Sequence, residues 1–202
     1  MKDIVAVFAR APRLGAVKRR LARGIGARAA LRFHTQTLAR LLRGLRKDRR
    51  FRTLLAVTPD RARVRWPMRV PVIRQGPGDL GARMQRAFRR FPKRLVALVG
   101  SDIPGLGASD VAVALRLLGR AHAVFGPAED GGYWLVAMAP RRPARPFAGV
   151  RWSSPHALAD TLVNFQGRRV ALLRRLRDVD TEPDFRATAR GEAPLQDGAP
   201  AV

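Results

Sequence analysis

The chain has 202 residues with a hydrophobic fraction of 47%, enough to bury a core in a domain of ordinary size and too much for a wholly disordered protein. Its 40 lysines and arginines against 15 acids give a net charge of +25, so polyanions are attracted to it at low salt. With no cysteine, disulfides, thiolate zinc sites, iron–sulfur clusters and thiol nucleophiles are excluded.

Ile4 to Phe8 is a short, nearly unbroken apolar run, the pattern of a strand buried on both faces. A loop punctuated by Pro12 and Gly15 follows and reads on to Lys18. Over 28–45, Leu31, Leu38, Leu42 and Leu45 recur at helical spacing with no proline between them. Thr53 to Val57 is a second strand and Val70 to Ile73 a short third. Gly76, Pro77 and Gly78 then lead into a helix over 79–91. Leu95 to Val99 is the strongest strand signal and runs straight into Gly100-Ser101-Asp102. Ser109 or Asp110 is placed to cap a helix reaching Leu118. Strands are expected at 123–125, 134–138 and 170–173, with helices over 155–165 and 182–189. The tail from Gly191 to Val202 has no periodicity and is expected to be disordered.

Strands alternating with helices predict an α/β sandwich on a mostly parallel sheet, as one domain over residues 1–190. In such sheets ligands bind beyond the carboxyl ends of the strands, which directs attention to loops 9–20, 75–84, 100–107 and 126–133. His34, His122 and His156 are too scattered for metal-ligand spacing and read as surface or packing residues. No apolar run approaches the roughly 20 residues of a membrane helix, and the opening segment lacks a signal-peptide cleavage pattern, so a cytoplasmic protein is expected. Only four of the 40 basic residues are lysines, and the arginines spread over nearly every segment rather than forming one stripe. That favours a composition bias on the surface over a dedicated nucleic-acid face.

The scarce acids are more informative, because eight of the 15 fall in four stretches: Asp79, Asp102, Glu129 with Asp130, and Asp178, Asp180, Glu182 and Asp184. Asp102 directly follows the strongest strand, where a carboxylate can hold a hard divalent cation or merely cap the turn of S-D-I-P-G. The first loop offers Pro12 and Gly15 with Arg10, Lys18, Arg19 and Arg20, a composition suited to phosphate or to a solvated turn. It is neither a Walker loop nor G-x-G-x-x-G. In G-P-A-E-D-G-G-Y-W (126–134) two carboxylates stand beside Gly131, Gly132 and the aromatic Tyr133, as an acceptor site or as a hairpin turn.

Six stretches occur in order: F-A-R-A-P-R-L-G-A-V-K-R-R-L-A (8–22), G-D-L-G-A-R-M (78–84), V-G-S-D-I-P-G-L (99–106), G-P-A-E-D-G-G-Y-W-L (126–135), W-S-S (152–154) and D-V-D-T-E-P-D-F (178–185). Together they resemble the small bacterial GT-A-type transferases of the DUF2064 family, commonly described as arsenosugar-biosynthesis glycosyltransferases. Relatives of that family are the molybdenum-cofactor and phospholactate nucleotidylyltransferases. The resemblance implies a Rossmann-like three-layer α/β/α sandwich of GT-A type that binds a nucleotide-activated donor with Mg²⁺ or Mn²⁺. It implies donor-phosphate contacts from Arg10, Gly15, Lys18 and Arg20, and positions near the nucleoside for Gln75, Gly81 and Arg83. Asp102, with Asp180 as a second ligand, would hold the metal. Asp130, then Glu129, would take the acceptor proton, with Gly131, Gly132 and Tyr133 on the acceptor side. Family members usually read K-T-R-L where this chain has Lys18-Arg19-Arg20-Leu21, so Arg19 replaces a hydroxyl with a charge.

The expected activity is therefore glycosyl transfer from a nucleotide-sugar to a small-molecule acceptor, with no specific nucleic acid as partner. Nucleotidyl transfer from an NTP, releasing pyrophosphate, is the alternative. A non-enzymatic basic protein that binds nucleic acid is the third.

Overall fold

The computed structural model describes residues 2–189. Elements follow as β1 (Asp3–Arg10), α1 (Arg19–Ile25), α2 (Ala27–Lys47), β2 (Phe51–Thr58), β3 (Val72–Arg74), α3 (Leu80–Arg89), β4 (Val96–Gly100), α4 (Ala108–Leu117), β5 (Ala123–Pro127), β6 (Tyr133–Met138), α5 (Ala157–Val163), β7 (Val170–Leu172) and α6 (Glu182–Ala189). The strands form one seven-stranded sheet in the order β3-β2-β1-β4-β6-β5-β7. Only β6 runs against its neighbours, pairing antiparallel with β4 and β5, while the β1–β2, β1–β4, β2–β3 and β5–β7 pairs are parallel. The tail 191–202, expected to be disordered, lies outside the described residues.

The alternation of side chains along each strand divides the core into two layers. Val5, Val7 and Ala9 of β1 face α2 and α4, meeting Leu38, Leu42, Leu45, Val111 and Ala114. Ile4 and Ala6 face the other way, toward Met84 and Phe88 of α3 and Phe147 and Phe165. This is the α/β sandwich that the alternation of strands and helices predicts, with the three layers that the family resemblance implies. Each fully buried leucine of α2 contributes about 1.5–3 kcal/mol relative to exposure. A third, smaller cluster of Leu21, Ala30 and Val179 ties α1, α2 and the segment before α6 together.

One element is added to the sequence reading and one local expectation is corrected. The loop read up to Lys18 gives way at once to helix α1, which enters through Lys18 in the left-handed region (φ 48°). Helix α4 begins earlier than Ser109 or Asp110 would place it: Gly107 is the N-cap, and Asp110 reaches back to accept from the Gly107 N–H at 2.9 Å. Among the described residues no helix is long and apolar enough to cross a membrane.

Candidate active site

The parallel strands β1 to β4 all end at one edge of the sheet, and chain order reverses between β1 and β4. Such a switch point leaves a crevice, because the connections on either side depart in opposite directions. A cleft of about 510 Å³ opens there. Its walls come from Phe8, Ala9 and Arg10 at the end of β1, from residues 16–20, and from Gln75, Leu80 and Arg83. Gly100, Ser101 and Asp102 at the end of β4, together with His34, Thr58 and Asp180, complete it. Three of the four loops singled out by the sequence therefore meet in one place; 126–133 does not line the cleft itself.

The centre of the site is a lysine between two carboxylates. Lys18 Nζ lies 3.1 Å from Asp102 Oδ2 and 2.8 Å from Asp180 Oδ1, and its side chain is 3% exposed, whereas the two acids are 41% and 43% exposed. Holding a non-glycine residue in the left-handed region costs on the order of 1–3 kcal/mol, and the two ion pairs offset that cost while aiming the ammonium inward. Burial works to deprotonate Lys18, but the charges of Asp102 and Asp180 prevail and its pKa is raised. Burial likewise opposes ionisation of Asp102. The hydrogen bond from His34 and the charge of Lys18 outweigh it and hold the carboxyl well below the usual range.

His34 is the residue that sequence reasoning misplaced. It is neither a surface group nor a plain packing residue: buried on the inner face of α2, its Nδ1 lies 3.3 Å from Asp102 Oδ1 and its Nε2 lies 3.1 Å from the Arg10 carbonyl. It thus ties the end of β1 to the loop after β4. The available signal was its place in the Leu38–Leu42–Leu45 stripe, where a polar ring needs a buried partner. Ser101 adds a hydroxyl bond to the same Oδ1 at 3.2 Å.

The remaining residues expected on the donor side divide. Arg10, Arg19, Arg20 and Arg83 line the cleft. Arg83 is steadied by donation from Nε to the Gly78 carbonyl at 2.8 Å. Gln75 also lines it, but its amide donates to the Ala56 carbonyl at 2.8 Å and so fastens β2 to the loop after β3. Gly15 lies outside the lining. It carries φ 72° in a turn closed by Ala16 N–H to Arg13 O at 3.1 Å, a conformation that favours glycine. Gly81 faces the apolar layer, where a Cβ would stand 2.9 Å from Trp152 Cζ2 and 3.0 Å from Phe147 Cβ.

The stretch 126–134 is both a hairpin connection and a neighbour of the site. β5 and β6 pair antiparallel across it, and Asp130 Oδ1 accepts from the Gly132 N–H at 2.9 Å. Gly131, at φ 83°, packs so closely on Pro155 that a Cβ would collide with the Pro155 carbonyl. Glu129 is occupied by Arg177, whose Nε donates to it at 2.6 Å. Tyr133 and Trp134 serve packing: the Tyr133 ring stacks edge-on against Phe125 and Trp152, and Trp134 is buried in the core. Burial pushes the Tyr133 phenol far up, against a hydrogen bond with Thr161. Asp178, named in the acidic stretch 178–184 but given no role by the sequence, is also perturbed. Burial and then the charges of Asp180 and Asp130 push its carboxyl up to about 6, against the pull of Lys18.

Among the described residues no group of three or more His, Asp or Glu is gathered as a ready metal cage. Asp102 and Asp180 nevertheless suit a hard divalent cation, since both carboxylates converge on one positive atom while remaining open to the cleft. Mg²⁺ in particular is held by one or two carboxylates together with substrate phosphates rather than by an all-protein cage. His34 behind Asp102 supplies the outer hydrogen bond that fixes such a ligand.

Comparison with known proteins agrees with this architecture. The model of the family described as "uncharacterized protein conserved in bacteria (DUF2064)" matches residues 41–154. A protein of Desulfovibrio desulfuricans G20 assigned as a nucleotide-diphospho-sugar transferase is similar in structure, with TM-score 0.89 and 27% identity over 97% of this chain and 90% of that one. Rv0371c from Mycobacterium tuberculosis H37Rv, solved in complex with manganese, shares the fold at TM-score 0.57 and 19% identity, covering 92% and 97%. A nucleotidyl transferase from Methanothermobacter thermautotrophicus (Mth528) does so at TM-score 0.62 and 14% identity, covering 95% and 98%. No curated protein matches. The fold is that of the nucleotide-diphospho-sugar transferases and nucleotidyltransferases, and it places the chain among the transferases as an enzyme.

Proposed function

The chain belongs to the DUF2064 family, and from that premise we propose that it is a metal-dependent glycosyltransferase, moving a sugar from a nucleotide-sugar to a hydroxyl of a small acceptor. The observation that carries this reading is one cleft holding both halves of a diphosphate site. The carboxylates Asp102 and Asp180 stand for the cation, and the guanidiniums of Arg10, Arg19, Arg20 and Arg83 for the phosphates. The similarity to a protein assigned as a nucleotide-diphospho-sugar transferase supports the same donor class.

Asp102 and Asp180 would hold Mg²⁺ or Mn²⁺, which when bound neutralises the donor diphosphate and eases its departure. His34 and Ser101 keep the Asp102 carboxylate oriented. Arg10, Arg19, Arg20 and Arg83, which line the cleft, would share the phosphate charge as it develops. Acceptor chemistry falls to Asp130. With Oδ1 occupied by the Gly132 N–H, Oδ2 is left to receive the acceptor's hydroxyl proton. As that proton moves, the acceptor oxygen bonds to the anomeric carbon. The bond from that carbon to the diphosphate oxygen breaks, and its electron pair leaves with the nucleoside diphosphate. Glu129 is the weaker candidate because Arg177 already engages it. The acceptor side gathers Asp130, Asp178 and Asp180. That charge repels a phosphate acceptor and so favours sugar transfer to a hydroxyl over nucleotidyl transfer to a phosphate.

The test is product identity. Incubated with Mn²⁺ and a panel of nucleotide-sugars and NTPs, the protein is expected to release nucleoside diphosphate from one nucleotide-sugar. Pyrophosphate release from an NTP, with no turnover of any nucleotide-sugar, would establish nucleotidyl transfer instead. A thermal-shift screen of the same panel finds the donor first, since a ligand that binds only the folded protein stabilises it by mass action.

A further inference from the structure

Lys18 is the ionic hub of the cleft, and its burial argues against a simple role as a phosphate clamp. Its side chain is 3% exposed, with two of the three ammonium donors directed at Asp102 and Asp180. Arg19 and Arg20, the next two residues, line the same cleft with exposed side chains, and among the described residues neither pairs with a carboxylate. The phosphates of a donor therefore meet guanidiniums, while the lysine serves the acids. Its ammonium stands where the two carboxylates converge, the position a divalent cation would compete for.

We propose that Lys18 is a built-in counter-ion, a positioning residue that keeps Asp102 and Asp180 together in the metal-free protein and that a divalent cation must displace to bind them. This rests on the reading of Asp102 and Asp180 as the cation-holding pair. The consequence is specific: the metal binds weakly by itself, because it must evict a buried ammonium from its two ion pairs. It binds well only when donor phosphates offer the displaced charge a new partner, and by linkage the donor gains the same factor from the metal.

The experiment is direct titration of Mn²⁺ into the EDTA-stripped full chain without nucleotide, following free Mn²⁺ by electron paramagnetic resonance. Lys18→Met is expected to bind Mn²⁺ at least tenfold more tightly than the wild type. In EDTA it should melt at a lower temperature and recover on adding Mn²⁺. Equal or weaker binding by the variant overturns the proposal, whereas mere loss of structure would weaken binding and cannot mimic the gain. Absence of Mn²⁺ binding by the wild type, with UDP and GDP as well as without them, overturns the reading of the acid pair itself. A second measurement needs no variant, since the chain has only four lysines, Lys2, Lys18, Lys47 and Lys93. Amine acylation read by mass spectrometry should spare Lys18 in EDTA and modify it increasingly as Mn²⁺ is added; unchanged protection at saturating Mn²⁺ contradicts displacement.

Discussion

Asp178 and Asp102 are shifted in opposite senses, which gives the protein a readable pH signature. Burial and then the charges of Asp180 and Asp130 outweigh the pull of Lys18 on Asp178 and push it up to about 6. The folded protein therefore binds this proton more tightly than the unfolded chain, and stability falls as pH rises from about 4 through about 6. Asp178→Asn is expected to remove that loss, raising stability at pH 7.5 on the order of 1 kcal/mol while changing little at pH 4. Urea melts at the two pH values check this; a variant that is less stable at pH 7.5 contradicts the arrangement of charges. Asp102 behaves in the opposite way. With its folded pKa held low, its contribution is present above the ordinary carboxylate range and is lost on acidification. At this scale the sequence showed the acids but not their partners. Asp102 announced itself by following the best strand, whereas His34 reaches it from 68 residues away and Lys18 reaches Asp180 across 162. Such pairings are set by tertiary structure: the leucine stripe shows that His34 needs a partner, not which one.

Helix α6 is short, and its first turn is secured by a single carboxylate. Asp184 Oδ2 accepts from the Thr181 N–H at 2.8 Å, the Thr181 hydroxyl at 2.6 Å and the Asp180 N–H at 3.2 Å. This is half of a capping box, and it fixes the backbone of Asp180 directly. Asp184→Ala is expected to cost about 1 kcal/mol of stability and to weaken Mn²⁺ binding in the presence of nucleotide, because Asp180 loses its anchor. Thermal unfolding and Mn²⁺ titration of the same variant check both; a stability loss with unchanged Mn²⁺ affinity would detach Asp180 from the site. The element that escaped sequence reading, α1, illustrates the limit of periodicity. It has seven residues with Leu21 as its one fully buried side chain, too short to display a helical stripe, and it starts where Lys18 is pulled inward by distant acids. The longer elements were legible because each carries its own pattern: an unbroken apolar run for β4, and a leucine stripe for α2.

For the whole molecule, the alternation of strands and helices was sufficient to give the sandwich and the edge where ligands bind. The hairpin reading of 126–134 offered the antiparallel direction of β6 against β5, but its insertion between β4 and β5 was not legible, since an apolar run does not name its neighbour. The charge of +25 has two meanings at this scale. A few cations, Arg10, Arg19, Arg20 and Arg83, converge on the cleft. The rest are diffuse, and binding to polynucleotides is expected to be a low-salt effect, falling by orders of magnitude between about 50 and 200 mM salt; filter binding that persists at 200 mM would require a dedicated surface. The 15 acids carry more meaning than the 40 bases, because in a cationic protein a knot of carboxylates marks where a cation is wanted. The most direct test of that claim is calorimetric titration of the identified nucleotide-sugar into the wild type and Asp102→Ala, with Mn²⁺ and with EDTA, the fold being checked by circular dichroism. Binding that needs both Mn²⁺ and Asp102, lost at least tenfold without either, is the predicted result; unchanged affinity in Asp102→Ala would contradict it.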